Sequence, residues 1–471
     1  LNPQNLNGVE PILAFNTAVS FVTNTNWQSY AGEVTLSYFT QMFGLTVQNF
    51  LSASTGIAVL LVLARGFRNK QSSDLGNFWQ DITKSTLYIL LPLSILLAVV
   101  LAGEGVVQTF SGYQSISTLS SGEQTIPLGP AASQVAIKQL GTNGGGFFNT
   151  NSAFPLENPT PFSNFLQMLA LLLIPAALVF TFGKIVGSNR QAWMIYSVMM
   201  SLLVIGLVVS IASEYSNNPI LNYSGSMEGK ETRFGVINSL IWSSATTAAS
   251  NGSVNAMHSS LSPLAGMVAL FNIMLGEIVF GGVGSGLYGM LLFVLLTVFI
   301  SGLMVGRSPE YLGKKIEGIE IKLTYIGILL PSAMVIIFSA IAVSSDSGLS
   351  SLLSKGPHGF SEIVYAFTSA ANNNGSAFAG LNANTPFYNS LLAIAMLVGR
   401  FGVIIPVVII AGQLSQKKST PESAGTLKTD TALFAFLLFA VILIVGGLTF
   451  FPMFALGPLL EHLLMNIGLT F

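Results

Sequence analysis

The chain has 471 residues, of which 51% are hydrophobic and only 8% charged, and its mean hydropathy is +0.68. A soluble domain carries roughly 25% charged residues, so this composition excludes a water-soluble body of this size and predicts an integral membrane protein. The net charge of -1 gives no basis for nucleic-acid binding, and the absence of cysteine excludes disulfides and thiolate metal sites.

Eight segments are long and apolar enough to cross a bilayer, which takes about 20 residues each. The fifth is too long for one span, and its glycine-rich centre, Gly281 to Gly289, predicts a broken helix. Because the chain opens on Leu1 without a signal-peptide pattern, we expect its natural N-terminus to lie upstream. In chain order the segments lie near residues 38–64, 85–103, 162–184, 192–213, 264–306, 321–345, 386–411 and 432–456.

Basic residues are distributed unequally between the two sides of the membrane. Thirteen of the 18 fall in one set of alternate connections or at its edges, and the positive-inside rule places that set in the cytoplasm. Another cation, Arg400, lies inside an apolar segment. On the opposite, outer side lie only Lys138, Lys230, Arg233 and Lys355.

Four uncharged polar stretches lie on the predicted outer side, each between a short apolar run and a full span. They are TNTNWQS from Thr23, TNGGGFFN from Thr142, TTAASNGS from Thr246 and TSAANNNGS from Thr368. Apolar runs of about 10–14 residues are too short to span, so each predicts a re-entrant pore helix. We therefore predict an all-α polytopic membrane protein with four span–pore helix–loop–span repeats, at residues 1–66 (partial), 78–184, 192–306 and 321–411, and a C-terminal span within 431–471.

The four loops superpose at three consecutive positions, which are the candidate filter residues. Helix C-terminal ends directed at one axis favour a cation, and the carbonyls of uncharged loops can replace its hydration water. No loop contains Asp or Glu, which argues against a filter for divalent cations. A single loop of this kind is usually an ordinary turn, so the fourfold repetition is what carries the prediction. The triplets are Asn24, Thr25 and Asn26; Thr142, Asn143 and Gly144; Ser250, Asn251 and Gly252; and Asn373, Asn374 and Gly375.

Six stretches spread over nearly the whole chain carry a family resemblance: NTAVSFVTNTNWQSY, LGTNGGGFFN, GGVGSGLYGM, GRSPEYLGKKI, SAANNNGSAFAGL and GRFGVIIP. With them the chain closely resembles the potassium-binding A subunit of the Kdp potassium-transporting P-type ATPase. The resemblance implies the fold of potassium transporters with four non-identical pore repeats in one chain. Members of this family have ten spans, so about two spans are expected to precede Leu1.

The resemblance also implies a function, which is to select K⁺ in the four-loop filter and to pass it to a partner that hydrolyses ATP. The implied partners are the catalytic B subunit, the C subunit, a small single-span F subunit and the lipid bilayer of the bacterial inner (plasma) membrane. K⁺ is the implied transported ligand, and no cofactor is expected. The chain has no DKTG phosphorylation motif and no GxxxxGK[ST] loop, so we expect no ATP chemistry of its own.

The first loop departs most from the other three. Asn26 stands where they have glycine, so we expect this quarter to make the filter asymmetric. Gln28, just beyond it, matches a filter-adjacent position of the family.

Charged residues within apolar segments are further candidates. Glu277 follows Gly252 by 25 residues and Arg400 follows Gly375 by 25, so both are expected at similar depth below the filter. They either line a water-filled vestibule or form a structural ion pair between two repeats, because an unpaired charge in hydrocarbon costs several kcal/mol. Arg307 ends the broken span; it is either a cytoplasmic anchor or, as the resemblance implies, a gate beneath the filter.

Two rival functions stay open at this point. One is an autonomous potassium channel or symporter of the same superfamily, against which GRSPEYLGKKI and the broken helix favour the pump subunit. The other is a secondary transporter built on broken helices. Four polar loops on one side fit the second rival poorly, because its central site would come from inverted repeats.

Overall fold

The computed structural model describes residues 1–120, 122–216, 220, 224–419 and 427–469. Parts of the predicted repeats and C-terminal segment lie outside the described residues, namely residues 121, 217–219, 221–223, 470 and 471. In chain order the helices are α1 (Pro11–Val22), α2 (Gly32–Thr35), α3 (Thr40–Arg68), α4 (Phe78–Gly103), α5 (Ala131–Leu140), α6 (Pro161–Val186), α7 (Asn189–Glu214), α8 (Gly235–Ala248), α9 (Pro263–Met274), α10 (Ser285–Val305), α11 (Gly318–Val343), α12 (Asp346–Leu349), α13 (Gly356–Ala371), α14 (Pro386–Gln416) and α15 (Ala432–Asn466).

In the described residues, strands occur in two short antiparallel hairpins. In the first, β1 (Gln114–Ser117) pairs with β2 (Glu123–Ile126), and Gln114 lies opposite Ile126. In the second, β3 (Glu310–Tyr311) pairs with β4 (Lys314–Lys315).

Eight helices in the described ranges are long and apolar enough to cross a membrane, and each lies on one predicted segment. They are α3, α4, α6, α7, α10, α11, α14 and α15. The predicted all-α polytopic fold is therefore confirmed. The fifth segment is broken as predicted, but the break covers residues 275–284 and helix α10 already resumes at Ser285.

The four short helices α1, α5, α8 and α13 precede the four polar loops. The longest has 16 residues and reaches about 24 Å, which is less than the roughly 30 Å of the hydrocarbon core. Three of them have a proline within one residue of their first residue: Pro11, Pro130 and Pro357. Proline costs no hydrogen bond in a first turn, because the N–H groups there have no partner within the helix. The prolines therefore set where these helices start.

The spans surround these short helices unequally. Of the apolar window of α10, 72% is buried inside the protein, against only 17% for α4. Large side chains of α4, such as Tyr88 and Leu96, are exposed and apolar, as expected for a helix that faces lipid. The broken helix of the third repeat is therefore central in the fold, and α4 is peripheral.

Candidate functional site

The three residues at the end of each short helix have the same backbone conformation in all four repeats. The first residue of each triplet has a positive φ, between 49° and 63°, and so does the third, between 53° and 100°. In each triplet the N–H of the second residue donates to the carbonyl five positions earlier. These bonds run from Thr25 to Ser20 (2.9 Å), Asn143 to Lys138 (2.8 Å), Asn251 to Thr246 (3.1 Å) and Asn374 to Ser369 (2.8 Å).

The four candidate filter loops form one closed ring, because each loop is hydrogen bonded to the next loop or to the short helix that precedes it. Asparagine amides make most of these links. They are Asn24 Nδ2 to Thr142 O (3.1 Å), Asn251 Nδ2 to Lys138 O (3.0 Å), Asn374 Nδ2 to Thr246 O (3.1 Å) and Asn373 Nδ2 to Thr25 Oγ1 (2.9 Å). The order around the ring is therefore the order of the repeats in the chain.

Glycine is required at the third position because the loops approach one another through their backbones. A Cβ on Gly252 would lie 2.2 Å from the carbonyl oxygen of Asn374, and one on Gly375 would lie 2.1 Å from that of Thr25. A Cβ on Gly144 would meet the Asn251 carbonyl in the same way. Both the positive φ and the lack of space exclude other residues at these three positions.

The first loop reaches the same conformation without glycine. Asn26 has a φ of 53°, and its Nδ2 donates to Asn49 Oδ1 at 2.9 Å. Gln28 forms a reciprocal pair with Gly146, accepting from its N–H at 2.8 Å and donating to its carbonyl at 2.9 Å. The structure thus places Gln28 as a link between the first and second loops.

A cavity of about 770 Å³ lies on the outer side of the ring. It is lined by the third residue of every triplet, together with Trp27 and Gln28. No residue of the four triplets is ionisable. Any ion in the ring would therefore be held by carbonyl, hydroxyl and amide oxygens.

Beneath the ring lies the break of the third repeat, residues 275–284. Gly281 N donates to Ala248 O at 3.0 Å, and Val283 N donates to the Thr142 hydroxyl at 2.9 Å. A Cβ on Gly284 would lie 2.1 Å from Gly56 O. The break is thus packed tightly against the second and third loops, which sequence reasoning did not foresee.

Glu277 and Arg400 both line a second cavity below the ring, which also reaches Asn373. Both are buried, and Glu277 lies in the break itself with a φ of 53°. In the described part of the chain no ion pair joins them, and Glu277 Oε1 has no hydrogen-bond partner. This geometry favours the vestibule interpretation over a structural pair, and both interpretations stay predictions.

Arg307 follows the C-terminal end of α10, where Gly306 adopts the left-handed conformation and Arg307 N donates to Gly302 O at 2.9 Å. Its side chain is exposed and lines neither cavity. The structure therefore does not bring Arg307 to the candidate filter. A cytoplasmic anchor accounts for this position, and the gate stays a prediction.

A fully buried ion pair behind the second loop was missed from the sequence. Lys138 Nζ lies 2.5 Å from Glu157 Oε2, and both side chains are fully buried. Lys138 lies in α5, directly behind the second loop, whereas the sequence placed it only among the four outer cations. An alignment of the short helices could have singled it out, because the equivalent residues of the other repeats are Ser20, Thr246 and Ser369.

Comparison with known proteins gives a consistent result. The family model described as potassium-transporting ATPase A subunit matches residues 1–463. A relative from Leptospira interrogans, named potassium-transporting ATPase potassium-binding subunit, is 61% identical over 473 residues, covering 100% of this chain and 85% of the relative. Relatives of the same name from Herpetosiphon aurantiacus and Pseudomonas aeruginosa are 58% and 57% identical, covering 99% and 98% of this chain and 84% and 83% of theirs.

A solved structure shares the fold at low identity. The potassium transporter TrkH from Vibrio parahaemolyticus superposes with a TM-score of 0.56 at 13% identity, covering 84% of this chain and 77% of that one.

Proposed function

This chain belongs to the family of potassium-transporting ATPase A subunits, and we propose that its ring of four loops is the filter at which K⁺ is selected. The chain is the potassium-binding transport subunit and not the catalytic subunit of that ATPase. The observation that carries the filter proposal is the ring itself. Its four triplets have positive φ at the same two positions, hydrogen bond in a closed circle to the next triplet or to the short helix before it, and contain no ionisable group.

The ring supports K⁺ selection for two physical reasons. Four helix C-terminal ends direct partial negative charge at one place, which favours a cation. The crowding of backbone carbonyls around Gly252 and Gly375 supplies neutral oxygens that can replace the weakly held water of K⁺. Carboxylates would favour a divalent ion instead, and the triplets contain none.

The packed break supports a proposal for the route below the filter. Because residues 275–284 lie against the second and third loops, a straight path from the ring to the cytoplasm is obstructed. K⁺ leaves the ring sideways, through the cavity lined by Glu277 and Arg400, towards the ATP-hydrolysing partner.

The chain is a multi-pass membrane protein and a subunit of an ATPase complex. Its partners in that complex are the catalytic B subunit, the C subunit and a single-span F subunit, all in the bacterial inner membrane. The chain requires no cofactor, and K⁺ is its transported ligand. The family membership and the absence of a phosphorylation motif support this assignment.

A charge placed in the ring tests the filter. We expect Gly252→Asp or Gly375→Asp to lower the discrimination of K⁺ against Na⁺ at least about tenfold, because the new side chain must displace a neighbouring carbonyl and also brings a carboxylate among neutral oxygens. The measurement is K⁺- and Na⁺-dependent ATP hydrolysis by the complete complex in liposomes. Gly318→Asp is the matched control, since nothing lies within 4 Å of a Cβ there. Unchanged discrimination of K⁺ against Na⁺ in both filter variants would contradict the filter assignment.

A further inference from the structure

At one position of the short helix, the second repeat has a lysine where the other three repeats have a serine or threonine. Ser20, Thr246 and Ser369 each supply the carbonyl that accepts the N–H of the second triplet residue, and each carries a small hydroxyl. The Ser20 hydroxyl donates to Trp27 O at 2.9 Å, and the Ser369 hydroxyl accepts from Gly375 N at 2.9 Å. The equivalent residue of the second repeat is Lys138, whose side chain reaches beyond the triplet.

The Lys138 side chain begins a continuous series of contacts that ends at the candidate filter. Its Nζ lies 2.5 Å from Glu157 Oε2 and donates to Asn151 Oδ1 at 2.6 Å. The other end of the same amide, Asn151 Nδ2, donates to the carbonyl of Gly144 at 2.7 Å. Three polar side chains that are almost completely buried thus connect an ion pair to one filter carbonyl.

The chemistry of lysine determines the orientation of the Asn151 amide. An ammonium group has only donors, so the amide atom that faces it must be the oxygen. The amide nitrogen is then directed at the Gly144 carbonyl, where an oxygen would be repelled. The backbone of Asn151 has a left-handed conformation, with a φ of 54°.

No other third-position carbonyl in the described chain has such a donor. The hydrogen bonds of the described residues include no side-chain donor to the carbonyl of Asn26, Gly252 or Gly375. Since the four loops share one backbone conformation, Asn151 is not needed to form the loop. It engages one lone pair of Gly144 O, and this leaves the second quarter less free to adjust around an ion.

Glu157 has two effects on this arrangement. A fully buried ammonium behind the filter would repel K⁺ in the ring, because charges interact strongly where water is excluded. The Glu157 carboxylate cancels that charge. Its Oε1 also accepts the N–H of Phe148 at 2.8 Å, which fixes the chain just after the second loop.

We propose that Lys138, Glu157 and Asn151 are positioning residues that fix the Gly144 carbonyl and thereby contribute to K⁺ selectivity. This inference rests on the proposed function of the ring as a filter. It predicts a filter with one restrained and three adjustable quarters, in which the restrained carbonyl resists closing around the smaller Na⁺ ion.

The test uses the complete ATPase complex in liposomes, with ATP hydrolysis measured against K⁺ concentration in the presence and absence of Na⁺. Asn151→Gly removes the donor and accepts the φ of 54° without strain, and Asn151→Asp, which keeps the size of the side chain, replaces the amide nitrogen by an oxygen if the glycine variant does not assemble. We expect the K⁺ half-saturation concentration to rise about three- to tenfold, the equivalent of one lost hydrogen bond, and Na⁺ to compete better. Glu157→Gln alone should raise the K⁺ half-saturation concentration further than the neutral double variant Lys138→Met with Glu157→Gln does, because only the single variant leaves an uncompensated cation.

The matched control is a second buried ion pair, Lys230 with Glu214, at 2.7 Å. Lys230→Met with Glu214→Gln should leave the K⁺ half-saturation concentration and the Na⁺ competition unchanged. The positioning role of Lys138, Glu157 and Asn151 is contradicted if the Asn151 variants retain wild-type K⁺ and Na⁺ dependence while Gly252→Asp loses discrimination; the filter assignment is then unaffected. If Gly252→Asp has no effect either, both the filter assignment and the positioning role are contradicted.

Discussion

The second and fourth loops of the ring have the same backbone conformation but different support behind them. Behind the second loop lies the buried ion pair of Lys138 and Glu157. Behind the fourth loop lies a neutral series, in which His258 Nδ1 lies 3.0 Å from Tyr365 Oη and Tyr365 Oη lies 2.8 Å from Ser376 Oγ. Ser376 Oγ then donates to Asn374 Oδ1 at 2.5 Å.

This difference shows that the loop conformation does not depend on a charge behind it. The triplet and its hydrogen bond to the preceding helix suffice in all four repeats, whatever residues lie further out. A buried ion pair is a weak source of stability, because desolvation offsets its attraction. The charges of the second repeat therefore need a reason other than folding, and the contact with Gly144 supplies one.

The largest expected effect on the free energy of unfolding comes from removing the counter-ion of the charged support behind the second loop. Glu157→Gln leaves the Lys138 ammonium buried without a counter-ion, so we expect a loss of about 3–5 kcal/mol in the free energy of unfolding. The measurement is denaturant unfolding of the purified protein in detergent micelles. Adding Lys138→Met should restore part of the loss. Equal losses in the single and double variants would contradict a charge-based cost.

A smaller effect is expected on the neutral side of the comparison. Tyr365→Phe removes the hydroxyl between His258 and Ser376 and should cost about 1–3 kcal/mol by the same measurement. Tyr325→Phe, on the exposed face of α11, serves as the control and should cost nothing measurable. If Tyr365→Phe destabilises as much as Glu157→Gln, the distinction between a charged and a neutral support is wrong.

The first loop extends the comparison to a quarter without glycine. Asn26→Gly loses the bond to Asn49 but removes the cost of a side chain at a φ of 53°. These terms oppose each other, so we expect a net change below about 1 kcal/mol. Thermal unfolding of the variant checks this, with Gly375→Ala as the contrasting case, because its Cβ would meet Thr25 O at 2.1 Å. Comparable losses in both would contradict the opposing terms.

The smallest expected effect concerns the outer end of the fourth repeat. Burial opposes the charging of His358, but the hydrogen bond to Glu461 at 2.8 Å and the nearby carboxylates of Glu362 and Glu228 outweigh it and raise its pKa. A raised pKa means that the folded protein binds the proton more tightly than the unfolded chain does. The resulting stabilisation is complete below the ordinary pKa of about 6.5 and is lost as the pH rises through the raised value.

Thermal unfolding between about pH 6 and pH 9 measures this contribution. Glu461→Gln should flatten the dependence on pH, whereas Glu123→Gln, on the exposed hairpin, should leave it as in the wild type. The same slope in both variants would exclude the pair of His358 and Glu461 as its source.

Much of this molecule follows from local sequence. The eight spans are recognisable because an apolar run of sufficient length has few alternatives to a helix in a bilayer. The four triplets could be aligned because each follows a run too short to span, and residues such as Asn24 and Asn373 fall at the same step of their repeats. The broken helix was also predictable from its glycines, although not its bounds, because Gly286 and Gly289 are compatible with the helix that resumes at Ser285.

The tertiary structure decided what depends on residues distant in sequence. Whether Glu277 pairs with Arg400 depends on the path of the break between them, and that path leaves them on one cavity without a direct contact. Lys138 and Glu157 lie on opposite sides of the second loop, so their pairing has no local pattern. Hydrophobic periodicity and turn residues act over a few positions, and they determine helices and loops. The partner of a buried charge is determined by packing, which only the folded chain provides.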